Sequence, residues 1–254
     1  MSIDSAIAYA ADVIRKARRL TVLTGAGVSR ESGIPTFRDS LEGIWAQFDP
    51  MKLATRDAFQ HDPKLVWEFY HYRLSIVKEA QPNPGHLALA ALEQRFPGYP
   101  LITQNIDSLH EAAGSTNVIH LHGQIHRSKC FNACQGDPTL IDVGALPDRD
   151  ASPPKCPHCG AFVRPDVVWF GEYLPESALQ AADAALHCDV LLVVGTSGVV
   201  APASRMPYIA SNRGADVIEV NPLRSDITQV VDCWIAAPSG EALPELIALL
   251  GADA

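Results

Sequence analysis

Residues 20–29 read Leu-Thr-Val-Leu-Thr-Gly-Ala-Gly-Val-Ser, and residues 33–38 follow as Gly-Ile-Pro-Thr-Phe-Arg. A β-branched strand that runs straight into two glycines is typical of a turn whose bare amides, at a helix N-terminus, bind phosphate. The G-x-G-x-x-G pattern of hydride-transfer enzymes requires a third glycine at position 30, where Arg30 stands. The stretch therefore indicates a nucleotide site and argues against a dehydrogenase.

Apolar strands of the same kind recur along the chain. Further strand-like runs lie at 100–103, 118–121, 189–194 and 216–220, and helical patterns lie at 84–96, 107–113, 175–187, 202–213 and 243–250. Continuous apolar runs are typical of parallel strands buried on both faces, and their alternation with helices is typical of layered α/β proteins. The predicted fold class is α/β with a doubly wound parallel sheet.

Two regions interrupt this alternation. Residues 39–82 are aromatic with a helical pattern and contain no strand-like run, whereas residues 124–165 are rich in Cys, Pro, Gly and Asp and lack periodicity. Both are predicted to be insertions that pack together as a small second domain. The larger domain is then expected to comprise 1–38, 83–123 and 166–254.

The composition excludes several classes of function. A net charge of −9 disfavours binding to a phosphate backbone, so no nucleic-acid partner is expected. No run approaches the ~20 apolar residues of a membrane helix, and the first residues lack an apolar stretch of signal-peptide type. Six cysteines suit a reducing compartment, in which thiols bind metals rather than form disulfides. We therefore expect a cytoplasmic protein without membrane contact.

Four cysteines form two close pairs, Cys130 with Cys134 and Cys156 with Cys159. Two such pairs can surround one tetrahedral ion, and metal binding would stabilise a stretch this poor in apolar residues. We therefore predict a structural zinc site. The alternatives are two disulfides or four unrelated thiols, and His126 and His158 are weaker candidate ligands. The remaining thiols, Cys188 and Cys233, are expected to be small buried side chains.

Polar residues follow the predicted strands, at the point where each strand ends. In a doubly wound sheet the ligand binds beyond the carboxyl ends of the strands. The candidates there are Gln104-Asn105-Ile106-Asp107, His122-Gly123, Gly195-Thr196-Ser197 and Asn221-Pro222. Each is weak alone, because Asn, Asp, Gly and Ser are common in turns. A lone histidine is usually structural, but the strand-end position of His122 favours a general base.

Taken in order, GAGVS…GIPTFR, TQNID, LHG, the paired cysteines, GTS and VNP resemble the sirtuin family of NAD-consuming protein lysine deacylases. The resemblance covers essentially the whole chain. It implies a Rossmann-like NAD-binding domain, a small domain with one structural zinc ion, and NAD in the cleft between them. It further implies that NAD is a co-substrate, that acyl-lysine peptides or proteins are the partners, and that nicotinamide and O-acyl-ADP-ribose are released.

The resemblance also assigns residues to these roles. Asn105 and Asp107 would bind and polarise the nicotinamide end, and His122 would be the general base. The segment Val168, Trp169 and Phe170 would pair with the substrate backbone. The implied NAD-binding residues are Gly25, Ala26, Gly27, Phe37, Arg38, Gln104, Asn105, Ile106, Asp107, Gly195, Thr196, Ser197, Asn221 and Ser239.

Tyr70 and Arg73 are three residues apart and share a helix face. One interpretation is an amphipathic helix with Tyr70 in the core and the Arg73 head group extending to water. The other is a pocket that binds a carboxylate through charge-assisted hydrogen bonds. The pair resembles that of the sirtuin subgroup that removes succinyl, malonyl or glutaryl groups, with Ala54 leaving space for the longer chain. We therefore expect a desuccinylase or demalonylase with some deacetylase activity.

Three other functions stay open at this stage. A dehydrogenase would form NADH, and the missing third glycine disfavours it. A non-catalytic NAD or ADP-ribose sensor would not release nicotinamide, and a mono-ADP-ribosyltransferase would use the same cleavage with another acceptor. The protein is expected to act as a monomer, and nothing in the sequence identifies its protein targets.

Overall fold

The computed structural model describes residues 2–36 and 49–251, which form two compact units. Within these residues the first unit comprises 2–36, 80–121 and 175–251, and the second comprises 49–79 and 122–174. Phe37 and Arg38, which were expected in the cofactor loop, lie outside the described residues.

Strands and helices are numbered in chain order. The strands are β1 (Leu20–Thr24), β2 (Leu101–Thr103), β3 (Val118–His120), β4 (Gly123–Cys130), β5 (Val163–Val167), β6 (Val190–Val194), β7 (Asp216–Val220) and β8 (Cys233–Ile235). The helices are α1 (Ile3–Lys16), α2 (Gly27–Arg30), α3 (Pro50–Leu53), α4 (Arg56–His61), α5 (Pro63–Glu79), α6 (Pro84–Ala91), α7 (Leu109–Ala113), α8 (Glu176–Ala185), α9 (Met206–Asn212) and α10 (Ser239–Gly251).

The first unit contains a six-stranded sheet in the order β3-β2-β1-β6-β7-β8, and every neighbouring pair is parallel. If only these six strands are counted, the order is 3-2-1-4-5-6, that of the doubly wound dinucleotide-binding fold. The predicted fold class is therefore confirmed. The order reverses between β1 and β6, so ligands of such a sheet bind beyond the carboxyl ends of these two strands.

The core of the first unit lies between this sheet and helices α1, α6 and α10. Helix α1 begins after Ser2, whose Oγ accepts a hydrogen bond from the Ser5 N–H. The apolar face of α1 is buried because its small and branched residues repeat at the helical period. Those buried residues are Ala6, Ile7, Ala10, Ala11 and Ile14.

The sequence-predicted elements differ from the observed ones at their ends. The pattern at 84–96 is a helix only to Ala91 and then a 3-10 turn at Leu92–Gln94. Strand β8 was not predicted from the sequence. In the cysteine-rich region, which showed no periodicity, the ends form β4 and β5.

The second unit contains the antiparallel pair β4 and β5 and helices α3, α4 and α5. Its register shifts between Gln124 and Ser128, which marks a bulge in β4. A small core joins α5 to the cysteine region through Trp67, Cys130, Ile141, Leu146, Cys156 and Val163. Among the described helices of both units, none is long and apolar enough to cross a membrane.

Candidate functional site

Two glycine-containing loops interlock where the strand order of the first unit reverses. The N–H of Gly27 donates to the carbonyl of Gly195 at 2.8 Å, and the N–H of Gly25 donates to Val194 at 3.0 Å. A Cβ at residue 27 would lie 2.6 Å from the Gly195 carbonyl oxygen, and Gly195 itself has φ +61°. Close packing of the two loops therefore already requires these glycines, before any contact with a phosphate is considered.

Ser29 joins two of the predicted nicotinamide-pocket residues in one buried cluster. Its hydroxyl donates to Asp107 Oδ2 at 3.0 Å and accepts from Asn105 Nδ2 at 3.0 Å. Burial raises the pKa of Asp107, while hydrogen bonds from the Leu109 N–H and from Ser29 act in the opposite direction. The cluster presents an amide and a carboxyl group beyond the end of β2, which is the chemistry that a carboxamide ligand requires.

Two histidines extend this cluster into the core of the first unit. His86 Nε2 lies 3.4 Å from Ser29 Oγ, and burial lowers the pKa of His86 to about 4. His110 packs on His86 with ring centroids 4.9 Å apart and bonds Thr24 Oγ1 at 2.9 Å. Burial and the neighbouring histidines lower the pKa of His110 to about 3. Both rings are therefore neutral at physiological pH and act as hydrogen-bonding groups.

A second cluster connects the predicted adenosine-side residues. Gln104 Nε2 donates to Thr196 Oγ1 at 2.9 Å, and Asn221 Nδ2 donates to the Thr196 carbonyl at 2.8 Å. Glu219, which is 0% exposed, accepts hydrogen bonds from Ser225 Oγ and Thr228 Oγ1 and so holds the loop after β7. The ends of β2, β6 and β7 thus carry one connected set of polar groups.

Ser239 and Ile106 lie outside the two hydrogen-bonded clusters. Ser239 begins α10, and its hydroxyl donates to Glu31 Oε2 at 2.8 Å, as does the Gly240 N–H at 2.9 Å. Glu31 therefore caps this helix. Ile106 is half-buried in the loop between β2 and α7.

In the second unit, His122 and the segment after β5 are tied together by the backbone. The Val168 N–H donates to the His122 carbonyl at 2.9 Å. The next residue, Gly123, has φ +76°, and a Cβ there would lie 2.2 Å from the Asp166 carbonyl oxygen. Only glycine fits this close approach of β4 to β5, which fixes the backbone of the predicted base.

The predicted acyl-pocket residues also converge within the second unit. The Phe170 N–H donates to the Ala54 carbonyl at 2.9 Å, and Trp169 Nε1 donates to Tyr70 Oη at 3.0 Å. Tyr70 is 3% exposed and Arg73 is 7% exposed. The interpretation in which the head group of Arg73 extends to water is therefore wrong, because packing around α5 buries this side chain.

An ion pair between Arg164 and Glu172 holds the segment after β5 in place. Arg164 is 1% exposed and binds Glu172 through two hydrogen bonds, of 2.6 and 3.0 Å. Glu172 Oε2 also accepts from the Trp169 N–H at 2.9 Å, and Arg164 lies over the indole ring at 3.3 Å from its centroid. Desolvation raises the pKa of Glu172, but the hydrogen bonds and charge of Arg164, together with the Trp169 N–H and the charge of Lys129, lower it by more, so the net pKa is lowered.

The four predicted metal ligands form one cluster in the second unit. The Sγ atoms of Cys130 and Cys159 are 3.5 Å apart, those of Cys134 and Cys156 are 3.8 Å apart, and all four lie within 4.8 Å of one another. Tetrahedral zinc with Zn–S bonds of about 2.3 Å needs sulfurs about 3.8 Å apart. The cluster fits zinc and excludes the alternative of unrelated thiols, and no pair is at disulfide-bonding distance.

The longer first pair closes around the cluster because one residue of its turn is left-handed. Ala133 has φ +48° and its N–H donates to the Cys130 carbonyl, which turns the chain so that Cys134 faces Cys156. Neither His126 nor His158 belongs to a metal-ligand group of the described residues.

Several residues of these clusters were not singled out from the sequence as site residues. Ser29 was quoted only as the end of the glycine loop, and its hydroxyl directly after GAGV was the one available signal. His86 carries no local signal, because Ser29 is 57 residues away. Glu219, Arg164 and Glu172 pair with residues six to nine positions away across turns, which no helix or strand period predicts.

The strand order and the polar loops beyond β1, β2, β6 and β7 define a nucleotide-binding protein of the doubly wound class. Residues 25–202 match the sequence profile of the Sir2 family. The NAD-dependent protein deacylase 1 of Pseudomonas aeruginosa is 50% identical over 239 residues, which cover 93% of this chain and 96% of that protein. The NAD-dependent protein deacylase of Thermococcus kodakarensis is 49% identical over 244 residues, with coverage of 95% and 94%.

Solved structures agree with the sequence relatives. A crystal structure described as a Sir2 homologue–NAD complex aligns with a TM-score of 0.87 and 43% identity, covering 96% of this chain and 93% of that one. This chain belongs to the Sir2 family.

Proposed function

We propose that this protein removes acyl groups from protein lysines in an NAD-dependent reaction that releases nicotinamide and O-acyl-ADP-ribose. The relatives named NAD-dependent protein deacylase, at about half identity over nearly the whole chain, carry this proposal. The strand-end clusters of the first unit supply the matching chemistry, with donors and acceptors for a dinucleotide and a carboxamide. We assign NAD binding to the first unit and zinc and acyl-lysine binding to the second.

The proposed roles follow from the hydrogen bonds already present. Asn105 and Asp107, held by Ser29, would bind the nicotinamide carboxamide, and Thr196 and Asn221 would bind the adenosine half. His122 would accept a proton from a ribose hydroxyl after the acyl oxygen has attacked the ribose carbon. Its fixed backbone, bonded to Val168, suits a positioned base.

Hydrogen bonding also suggests how the segment after β5 would receive substrate. The N–H groups of Val168, Trp169 and Phe170 are already used within the second unit. The Val168 carbonyl accepts no hydrogen bond from the described residues. We propose that it accepts one from a backbone N–H of the substrate peptide, as in β-augmentation.

The preferred acyl groups are proposed to be succinyl and malonyl. Arg73 supports this, because a buried guanidinium beside Tyr70 can bind a carboxylate through charge-assisted hydrogen bonds. A dicarboxylic acyl chain provides such a carboxylate, and an acetyl group does not.

The test of the acyl preference compares acetyl- and succinyl-lysine versions of one peptide by kcat/KM. Arg73→Met should lower the succinyl value by about 100-fold, because a charge-assisted pair contributes about 1.5–3 kcal/mol, while the acetyl value changes little. A wild-type enzyme that favours acetyl-lysine, or an Arg73→Met enzyme that keeps its succinyl rate, would refute the preference.

Mass spectrometry of the products from NAD and a succinyl-lysine peptide separates the remaining functions. O-succinyl-ADP-ribose with free lysine is the expected result. An ADP-ribosylated protein would identify a transferase acting on another acceptor, NADH a dehydrogenase, and unchanged NAD a sensor.

His122→Ala tests the base separately from binding. Turnover should fall by about 10²–10⁴-fold, as for the loss of a general base, while NAD still binds. Normal turnover in this variant contradicts the assignment.

The six unpaired thiols support a cytoplasmic location for the proposed enzyme, where thiols stay reduced.

A further inference from the structure

We infer that Trp169 determines acyl specificity through its side chain, because its indole N–H sets the direction in which the Tyr70 hydroxyl donates its proton. This inference rests on the proposed desuccinylase function and names residues that act behind the acyl pocket. It gives Trp169 a role beyond the backbone pairing expected from the sequence.

The hydrogen bond between the two rings has only one possible direction. An indole nitrogen donates and cannot accept, so Tyr70 Oη accepts from Trp169 Nε1 at 3.0 Å. Burial raises the pKa of Tyr70 to about 12, so the phenol keeps its own proton at physiological pH. With one side of the oxygen occupied by the indole hydrogen, the hydroxyl hydrogen points away from Trp169.

That hydroxyl hydrogen is available to a ligand. Among the described residues, no group accepts a hydrogen bond from Tyr70 Oη, although the side chain is 3% exposed. Buried donors in folded proteins are nearly always satisfied, so this hydroxyl suits a ligand group that supplies an acceptor.

Arg73 identifies the charge of the missing acceptor. Burial raises the pKa of Tyr70 to about 12, and the positive charge of Arg73 is the largest of the effects that oppose this rise, so the guanidinium lies close enough to act on the phenol. A neutral donor and a cation three residues apart on α5 together match a carboxylate, which has two acceptor oxygens. An acyl chain that ends in a methyl group offers neither charge nor acceptor there.

Arg164 and Glu172 are positioning residues for the indole. Arg164 lies 3.3 Å from the centroid of the Trp169 ring, and Glu172 binds both Arg164 and the Trp169 N–H. A cation held against the ring face by a buried ion pair restricts rotation of the indole. The direction of the Tyr70 hydroxyl is thus fixed by a chain of contacts that begins at a carboxylate outside the pocket.

The experiment compares succinyl-lysine with butyryl-lysine in one peptide, since these chains have the same number of carbons and differ in a terminal carboxylate. The readout is the ratio of the two kcat/KM values. Trp169→Phe removes the N–H and keeps an aromatic ring, and it should lower the ratio about tenfold, the effect of one lost hydrogen bond to a charged pair. The matched control is Trp67→Phe, which changes another buried tryptophan of the second unit and should keep the wild-type ratio.

The double variant tests the route through Tyr70. Trp169→Phe should not change the ratio further in a Tyr70→Phe background, because the hydroxyl that it orients is gone. An equal loss of kcat/KM on both substrates would mean that Trp169 contributes only packing. A further fall of the ratio in the Tyr70→Phe background would mean that Trp169 does not act through Tyr70. Either result overturns the inference. A wild-type ratio of one or less refutes the proposed acyl preference itself, and the inference with it.

Nuclear magnetic resonance gives a measurement that does not depend on the folding of Trp169→Phe. In isotope-labelled protein the indole N–H resonance of Trp169 should move upfield in Tyr70→Phe, because the hydrogen bond is lost. An unchanged resonance overturns the inference.

Discussion

Glu219 is a buried carboxylate on β7 whose partners are hydroxyl and amide groups. Ser225 Oγ, Thr228 Oγ1 and Asn221 Nδ2 lie 2.5, 2.6 and 3.4 Å from its oxygens. Its contacts fold the loop after β7 back toward the end of β6, where Asn221 reaches the Thr196 carbonyl. One residue with no proposed contact to NAD thus shapes the adenosine side of the site.

Replacing Glu219 should therefore affect both stability and NAD affinity. Glu219→Leu takes the carboxylate acceptor from the half-buried hydroxyls of Ser225 and Thr228, and the free energy of unfolding should fall by about 2–4 kcal/mol. The KM for NAD should rise more than the KM for the peptide, and Glu219→Gln should lose less of both. Urea unfolding and initial-rate kinetics measure these effects, with Glu241→Leu on the exposed face of α10 as the control. Unchanged NAD kinetics in Glu219→Leu would contradict the positioning role.

The antiparallel pair of β4 and β5, called the hairpin below, links the cysteine cluster to the predicted base. The end joined by the cysteine-rich connection carries Cys130 and Val163, and the other end carries Gly123, directly after His122. Val163 packs in the same small core as Cys130 and Cys156. Distortion at either end is therefore expected to reach the catalytic segment.

A comparison of two glycine variants tests this element. Gly123 and Gly98 both have positive φ, of +76° and +66°, so alanine costs about 1–2 kcal/mol at either position. Only at Gly123 does the new Cβ collide with a neighbouring strand, at 2.2 Å from the Asp166 oxygen. Gly123→Ala should lower kcat/KM by about 100-fold through displacement of His122, whereas Gly98→Ala should remain active. Equal activity of the two variants would show that the hairpin does not position the base.

Loss of the metal should act through the same hairpin. Cys156→Ser removes one of four ligands, and we expect zinc content to fall from about one ion per chain, with loss of most of the activity. Cys188→Ser, at a buried thiol outside the cluster, should keep both. Metal analysis and activity assays measure the effect, and full activity of a zinc-free chain would mean that the hairpin is stable without metal.

At the scale of the whole molecule, the buried histidines of the first unit make stability depend on pH. His86 and His110 have pKa values lowered to about 4 and about 3, against about 6.5 in an unfolded chain. Below pH 6.5 the unfolded state binds more protons, so stability present above that pH is lost as the pH falls toward 4. Asp107 acts oppositely at the acidic end, because its raised pKa favours the folded state at low pH.

Chemical unfolding between about pH 7 and pH 5 measures this dependence. Each buried histidine contributes up to about 1.4 kcal/mol per pH unit, so His110→Gln should reduce the slope by about that amount. His158→Gln, at an exposed position, should leave the slope as it is. A slope that is the same in all three proteins would contradict the neutral, buried state of His110.

Much of the fold followed from patterns that are short in sequence. Continuous apolar runs predicted five of the six sheet strands, and the paired cysteines predicted the metal-ligand cluster. Both predictions depend only on the number of residues between side chains. In regular backbone this number fixes the direction in which one side chain points relative to the next. The polar strand ends were predictable for the same reason, since parallel strands bring their carboxyl ends to one edge.

The amino-acid sequence by itself thus determined the sheet class, the loops at its edge and the cysteine cluster. Only the tertiary structure decided that Gly27 is required by the Gly195 loop, that Arg73 is buried and that Trp169 bonds Tyr70. These contacts join residues that are far apart along the chain or bury a charge against local preference. The long-range contacts and the buried charge both depend on how the assembled elements pack. Periodicity along the chain does not predict such packing.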